Sequence, residues 1–207
     1  MDTLIESSRL GAMLDRQELS DLVRTERLWR DLGKWSEMAS LYVEDSYART
    51  TWFEGTGAEF AEASKDQALN RSRHSKHPIT PTHIEVVGDR ATVESVAEIQ
   101  NRSMVEGVEV DMTMYCRFFS RAVRTSDGWR LASFEGIYQK DSIVAVDPRD
   151  PLPVDWDEVR GYRDSYRIWT WSMRLKGYSV NQNLIGDDRP DLVAAFYRDA
   201  EEWLHQG

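Results

Sequence analysis

Two charges of opposite sign sit where a helix should be apolar. Leu19, Leu22 and Val23 recur at helical spacing, and at about 100° per residue Glu26 and Arg30 fall within roughly 30° of the direction they define. Burying such groups is costly unless they pair or line a wet cavity. The spacing leaves two readings open: an i,i+4 salt bridge on a helix that turns outward, or a polar pocket lined by this helix. Asp31 follows near the helix end, where periodicity places it on the surface. His74, His77 and His83 cluster further along, while His205 lies close to the C-terminus and carries no evident role. A metal centre is not indicated, because no carboxylate completes a ligand set near His74 and His77, and Pro78 interrupts any helix joining them. The lone Cys116 excludes an internal disulfide and a Cys-based zinc cage, and its apolar run Met112–Phe118 makes it a small core residue.

The elements that must position these groups follow from pattern and punctuation. Asp15 before Arg16-Gln17-Glu18 resembles an N-cap, and the helix it opens runs to Gly33. A shorter helix from Trp35 ends near Glu44-Asp45, a strand covers residues 46–54, and a third helix spans 56–71. Four strand-like runs follow, at 82–87, 90–100, 108–123 and 129–140, with turn signals at Gly88-Asp89, Glu106-Gly107 and Ser126-Asp127-Gly128. In the third run Val110, Met112, Met114, Cys116 and Phe118 share one face. Three helices followed by a meander of long strands predict an α+β layout, with the helices packed on one face of a curled antiparallel sheet. Pro148, Pro151 and Pro153 mark a linker at the end of a unit spanning 1–146. Residues 147–207 form a helical extension, with helices at 155–176 and 189–205 that must pack on the cone or on a second subunit.

A net charge of -10 with no basic stripe argues against a nucleic-acid partner. The one local basic cluster, Arg71 to Lys76, reads as a solvated helix end. No apolar run approaches a membrane span, and no basic-then-apolar leader is visible, so a cytoplasmic protein is expected. Eight Trp and eight Tyr supply flat apolar surface for a core or for an aromatic ligand.

Three motifs in order resemble the SnoaL-like branch of the nuclear transport factor 2-like superfamily. Residues Asp31 to Asp45 are similar to its D-x-x-x-W-x-x-[LM]-x-x-L-[YF]-x-x-D signature, and Asp127-Gly128-Trp129-Arg130-Leu131 is similar to its closing strand. The spacing from His77 to Ile84-Glu85-Val86 fits its H-x(6)-[IL]-E-V pattern. The resemblance covers roughly residues 12 to 141 and implies an α+β cone, a curled antiparallel sheet with three N-terminal helices enclosing a pocket. In family enzymes such as scytalone dehydratase and lindane dehydrochlorinase, the aspartate and histidine matched by Asp31 and His77 act as an acid–base dyad, with no metal or organic cofactor. The carboxylate fixes the imidazole tautomer and raises its basicity. Glu26 stands where the dehydrochlorinase has a lysine and Arg30 where scytalone dehydratase has a tyrosine, so neither substrate transfers. Arg30 is instead expected to stabilise an oxyanion, held by Glu26. Tyr47, Trp52 and Tyr115 are read as walls for an aromatic substrate.

The resemblance implies a cofactor-independent lyase of dehydratase type acting on a small aromatic molecule, with loss of formaldehyde from an aromatic alcohol as a variant. Isomerases and polyketide cyclases share the fold, as do non-catalytic binding proteins and the small subunits of aromatic-ring dioxygenases, so fold alone does not choose. A homodimer or homotrimer is expected, since family members often form one and the C-terminal aromatics look exposed.

Overall fold

The computed structural model describes residues 2–69 and 75–206, with the side chains of residues 2–8 left aside. His74, Arg71 and Arg73 therefore lie outside the described residues. A long helix α1 (Asp2–Leu32) and a short α2 (Trp35–Ala39) lead into strands β1 (Tyr42–Arg49) and β2 (Glu54–Gly55). Helix α3 (Gly57–Leu69) precedes the meander β3 (Ile79–Val87), β4 (Arg90–Val105), β5 (Val108–Thr125) and β6 (Gly128–Ala145). Helices α4 (Trp156–Val159), α5 (Arg167–Leu175) and α6 (Pro190–His205) complete the chain. The α+β layout expected from the pattern and the cone implied by the resemblance are both present. The sheet order is β2-β1-β6-β5-β4-β3, with β1 running parallel to β6 and every other pair antiparallel, so the sheet is mixed rather than wholly antiparallel.

Several boundaries move for identifiable reasons. Asp15 is no N-cap, because α1 begins well before it; its carboxylate instead accepts from Arg124 at 2.7 Å and from the Trp129 indole at 3.2 Å. The second helix stops at Ala39, and Tyr42 already belongs to a strand whose partner is Leu131. The expected helix over 155–176 is broken in two. Between its halves the Arg163 guanidinium reaches Asp188 at 2.9 Å and the Leu184 carbonyl at 2.6 Å, tying that stretch to the loop before α6 rather than to a helical ladder.

Alternation along β5 puts Met114, Cys116 and Phe118 inside the cone with Leu19, Leu22, Val23, Phe60 and Phe134. Phe119 points the other way yet is equally buried, because Phe196 and Ala200 of α6 cover it together with Ile137. The far end of the sheet is closed separately, where Ile168 and Trp171 of α5 pack on Val110, Met112 and Ile143. The C-terminal aromatics thus cover this chain's own sheet, and the exposed look that suggested self-association is lost for all but Trp156 and Tyr178 among those above one-third exposure. Among the described residues, no helix is long and apolar enough to cross a membrane.

Candidate active site

The end of α1 supplies the first half of the site. Gly33, with φ of 73°, takes the left-handed conformation that stops the helix, and Lys34 N–H returns to the Trp29 carbonyl at 2.8 Å. Asp31 is fixed in the last turn before this stop. The second half is the residue pair before β3. Lys76 exchanges both backbone hydrogen bonds with Gln100, each 2.9 Å, and the restriction Pro78 imposes on the preceding residue keeps His77 extended. Both nitrogens that His77 directs at Asp31 find it: the backbone N–H donates to Oδ2 at 2.8 Å, and Nδ1 lies 2.6 Å from Oδ1. Periodicity puts Asp31 on the surface, but the His77 backbone and ring, brought against the end of α1, cover it. Only 13% of its side chain is exposed, against 4% for His77.

The electrostatics set the protonation states. Burial pushes the Asp31 carboxyl up, but the side-chain and backbone hydrogen bonds from His77 and the charge of Arg30 prevail and hold it below the usual carboxylate range. Asp31 is therefore an acceptor, and Nδ1 carries the proton. Burial first, and then the Arg30 charge, push the His77 imidazolium down to about 3 against the opposing pull of Asp31. The ring is neutral with Nε2 unprotonated across the physiological range. The nearest Arg30 nitrogen is 3.2 Å from Nε2 and 3.4 Å from Nδ1. A donor on the in-plane lone pair of Nε2 would be far from Nδ1, so near-equal distances place the guanidinium over the ring face. The Nε2 lone pair stays available.

A pH prediction follows with a definite sign. The unfolded chain binds a proton at His77 near pH 6.5 and the folded chain only near 3, so stability falls as pH drops between these values. The slope from this one group is about 1.4 kcal/mol per pH unit. Urea denaturation from pH 7 to 4 should show it, and His77→Gln should flatten the curve.

Glu26 does not do what was expected of it. It grips Arg27, with two short contacts to the guanidinium, and accepts from the Tyr42 hydroxyl at 2.8 Å. It holds Arg27 rather than Arg30 and does not line the cavity. No i,i+4 bridge to Arg30 forms, because the Arg27 guanidinium and the Tyr42 hydroxyl engage the carboxylate instead. Arg27 itself sits 4.2 Å from the Phe134 ring centroid, with Phe60 and Phe118 also close. It went unnoticed in the sequence although it lies four residues beyond Val23, on the same helical row.

The cavity is lined by Arg27, Arg30 and His77 on one side and by Trp52, Phe60, Phe118, Phe134 and Tyr138 on the other. Gly136 belongs to the wall because a Cβ there would meet the Tyr138 ring at 2.9 Å. Of the three expected aromatic walls only Trp52 is present. Tyr47 alternates outward between buried Ser46 and Ala48 and donates to Glu54 at 2.8 Å. Tyr115 alternates outward between Met114 and Cys116 and packs under the Lys140 ammonium. His83 is largely exposed beside Glu85, away from the cavity lining. Cys116 is a buried thiol whose ionisation burial pushes up.

A family model for the SnoaL-like domain matches residues 11–135. The chain belongs to the SnoaL-like family. A PEP2-like protein of Fusarium vanettenii is 27% identical over 93% of this chain and 86% of its own length. Among solved structures, a scytalone dehydratase-like protein of Novosphingobium aromaticivorans is 19% identical, with a TM-score of 0.55 over 69% of this chain and 96% of that one. A type-3 hexachlorocyclohexane dehydrochlorinase of Novosphingobium barchaimii is 17% identical, with a TM-score of 0.54 over 72% and 99%. At such identities these structures share the fold.

One wall of this SnoaL-like cavity comes from outside the matched segment. Trp169 and Met173 of α5 close it, and the Trp169 indole donates to the Thr51 hydroxyl at 3.1 Å. Asp141 of β6 anchors α5 by accepting the Trp169 backbone N–H at 2.7 Å. The cavity leaves about 30 Å³, enough for water but well short of the roughly 150 Å³ that holds benzene. A ring must displace wall side chains to bind. Trp169→Phe, which removes the bond to Thr51, should lower stability by about 1 kcal/mol and change KM more than kcat, checked by denaturation and initial rates.

Proposed function

We propose that this protein is a cofactor-independent lyase of dehydratase type, acting on a small aromatic substrate by Asp31–His77 acid–base catalysis. The observation that carries the reading is the 2.6 Å contact between a low-pKa carboxylate and the Nδ1 of a neutral imidazole at an aromatic-walled cavity. In this reading Nε2 takes a proton from a carbon beside a carbonyl. The electron pair forms a carbon–carbon double bond, the bond to a hydroxyl on the next carbon breaks, and the imidazolium returns its proton so that water leaves. Asp31 stabilises the transient imidazolium, and Arg30 faces the oxygen on which charge develops. The substrate is the one partner this chemistry requires; self-association into a dimer or trimer is part of the proposal.

The test is turnover. β-Hydroxy aryl ketones and related aromatic alcohols are offered to the purified chain, with product followed by absorbance and mass loss of water or formaldehyde. Conversion of a substrate by double-bond migration alone, with no mass change, would replace elimination by isomerisation on the same two residues. Binding of aromatic ligands without any conversion would point to a carrier.

A further inference from the structure

The cavity is cationic in a protein that is not. Among the described residues its lining holds two arginines, His77 and no carboxylate, although the whole chain carries a net charge of -10. The two guanidinium groups are not equivalent. Arg27 is neutralised by Glu26 and boxed by three phenylalanine rings. Arg30 has no carboxylate within ion-pair distance among the described residues, and its Nε is buried without a hydrogen-bond partner. Asp31 stands behind His77, outside the lining, with both oxygens committed to that residue. A buried donor left unmatched costs stability unless a ligand matches it.

We infer that the substrate carries an anionic oxygen, carboxylate or phenolate, on a planar aromatic frame, and that Arg30 selects for it. A guanidinium fork suits a planar oxyanion, and the surrounding rings suit the frame. The inference rests on reading this cavity as the substrate pocket. It also accounts for an otherwise awkward feature of that reading, since an imidazole held at about 3 is a weak base. An anion on Arg30 cancels part of the charge that depresses it, so the correct ligand raises the basicity of His77.

The test uses the full chain and calorimetric titration with sodium benzoate and benzamide, which share a ring and differ in charge. Benzoate is expected to bind at least about tenfold more tightly. Arg30→Gln should abolish that preference while leaving benzamide within about twofold, and Arg30→Lys should restore part of it. 4-Nitrophenol, titrated on either side of its own ionisation, separates a phenolate from a carboxylate source; tighter binding of either anion through Arg30 supports the inference. In the wild-type chain, ¹⁵N resonances of His77 should report a higher pKa with benzoate bound and none of that shift with benzamide, which keeps the test valid if an Arg30 variant misfolds. Equal affinities for benzoate and benzamide, an unchanged preference in folded Arg30→Gln, or no binding of either anion overturns it. The acid–base reading fails separately, if His77→Ala turns substrate over normally while the benzoate preference persists.

Discussion

His77→Ala is expected to lower kcat by about 10²–10⁴-fold and to leave KM within a few-fold, because in the proposed mechanism it removes the group that accepts the substrate proton. The fold should survive. Lys76 keeps both backbone bonds to Gln100, and the backbone N–H of residue 77 still meets Asp31. Asp31→Asn is the sharper companion. It preserves shape but allows the amide to donate toward Nδ1, which reverses the tautomer and puts the ring proton on Nε2, where a lone pair is needed. A comparable loss of kcat with circular dichroism unchanged is the expected result. Wild-type turnover by folded His77→Ala would remove the acid–base mechanism.

Glu26→Ala should be the most destabilising single change at this site, by about 3–5 kcal/mol. Glu26 is 1% exposed and Arg27 3%, so truncation leaves a guanidinium charge in the core with no carboxylate, and the Tyr42 hydroxyl without its acceptor. The aromatic box around Arg27 offsets only part of that cost. Removing the charge from both sides, as Glu26→Leu with Arg27→Met, should cost clearly less than Glu26→Ala alone, since no unpaired ion remains. Urea midpoints of the two variants measure the difference. If Glu26→Ala unfolded at the wild-type midpoint, the pair would have to be solvated.

What could be read from the chain divides along physical lines. Runs governed by local period and turn residues, such as β5 and the hairpin turn at Glu106-Gly107, emerge from pattern alone. The break in the apolar row at Glu26 and Arg30 correctly flagged buried polarity, but the wrong partner was assigned. Neighbours in sequence do not normally face each other on a helix, and Arg27 reaches Glu26 only because the cone closes over both side chains. The meeting of Asp31 with His77, 46 residues apart, is invisible to periodicity and came from family resemblance. Tyr47 and Tyr115 are absent from the wall because strand alternation, not aromatic character, decides which face a side chain takes, and it sends both outward. The contact of Trp169 with Thr51 joins residues 118 positions apart and has no local signature.

That last contact has an evolutionary reading. The acid–base pair is held by the ends of α1 and β3, within residues 11–135, whereas Trp169 and Met173 belong to a tail beyond it. On the proposed reading, the proton-transfer pair and one wall of the cavity thus lie on separable stretches of chain. Drift in the tail can reshape that wall while leaving Asp31, His77 and Arg30 in place, and a transplanted tail should change which ring frames the cavity admits.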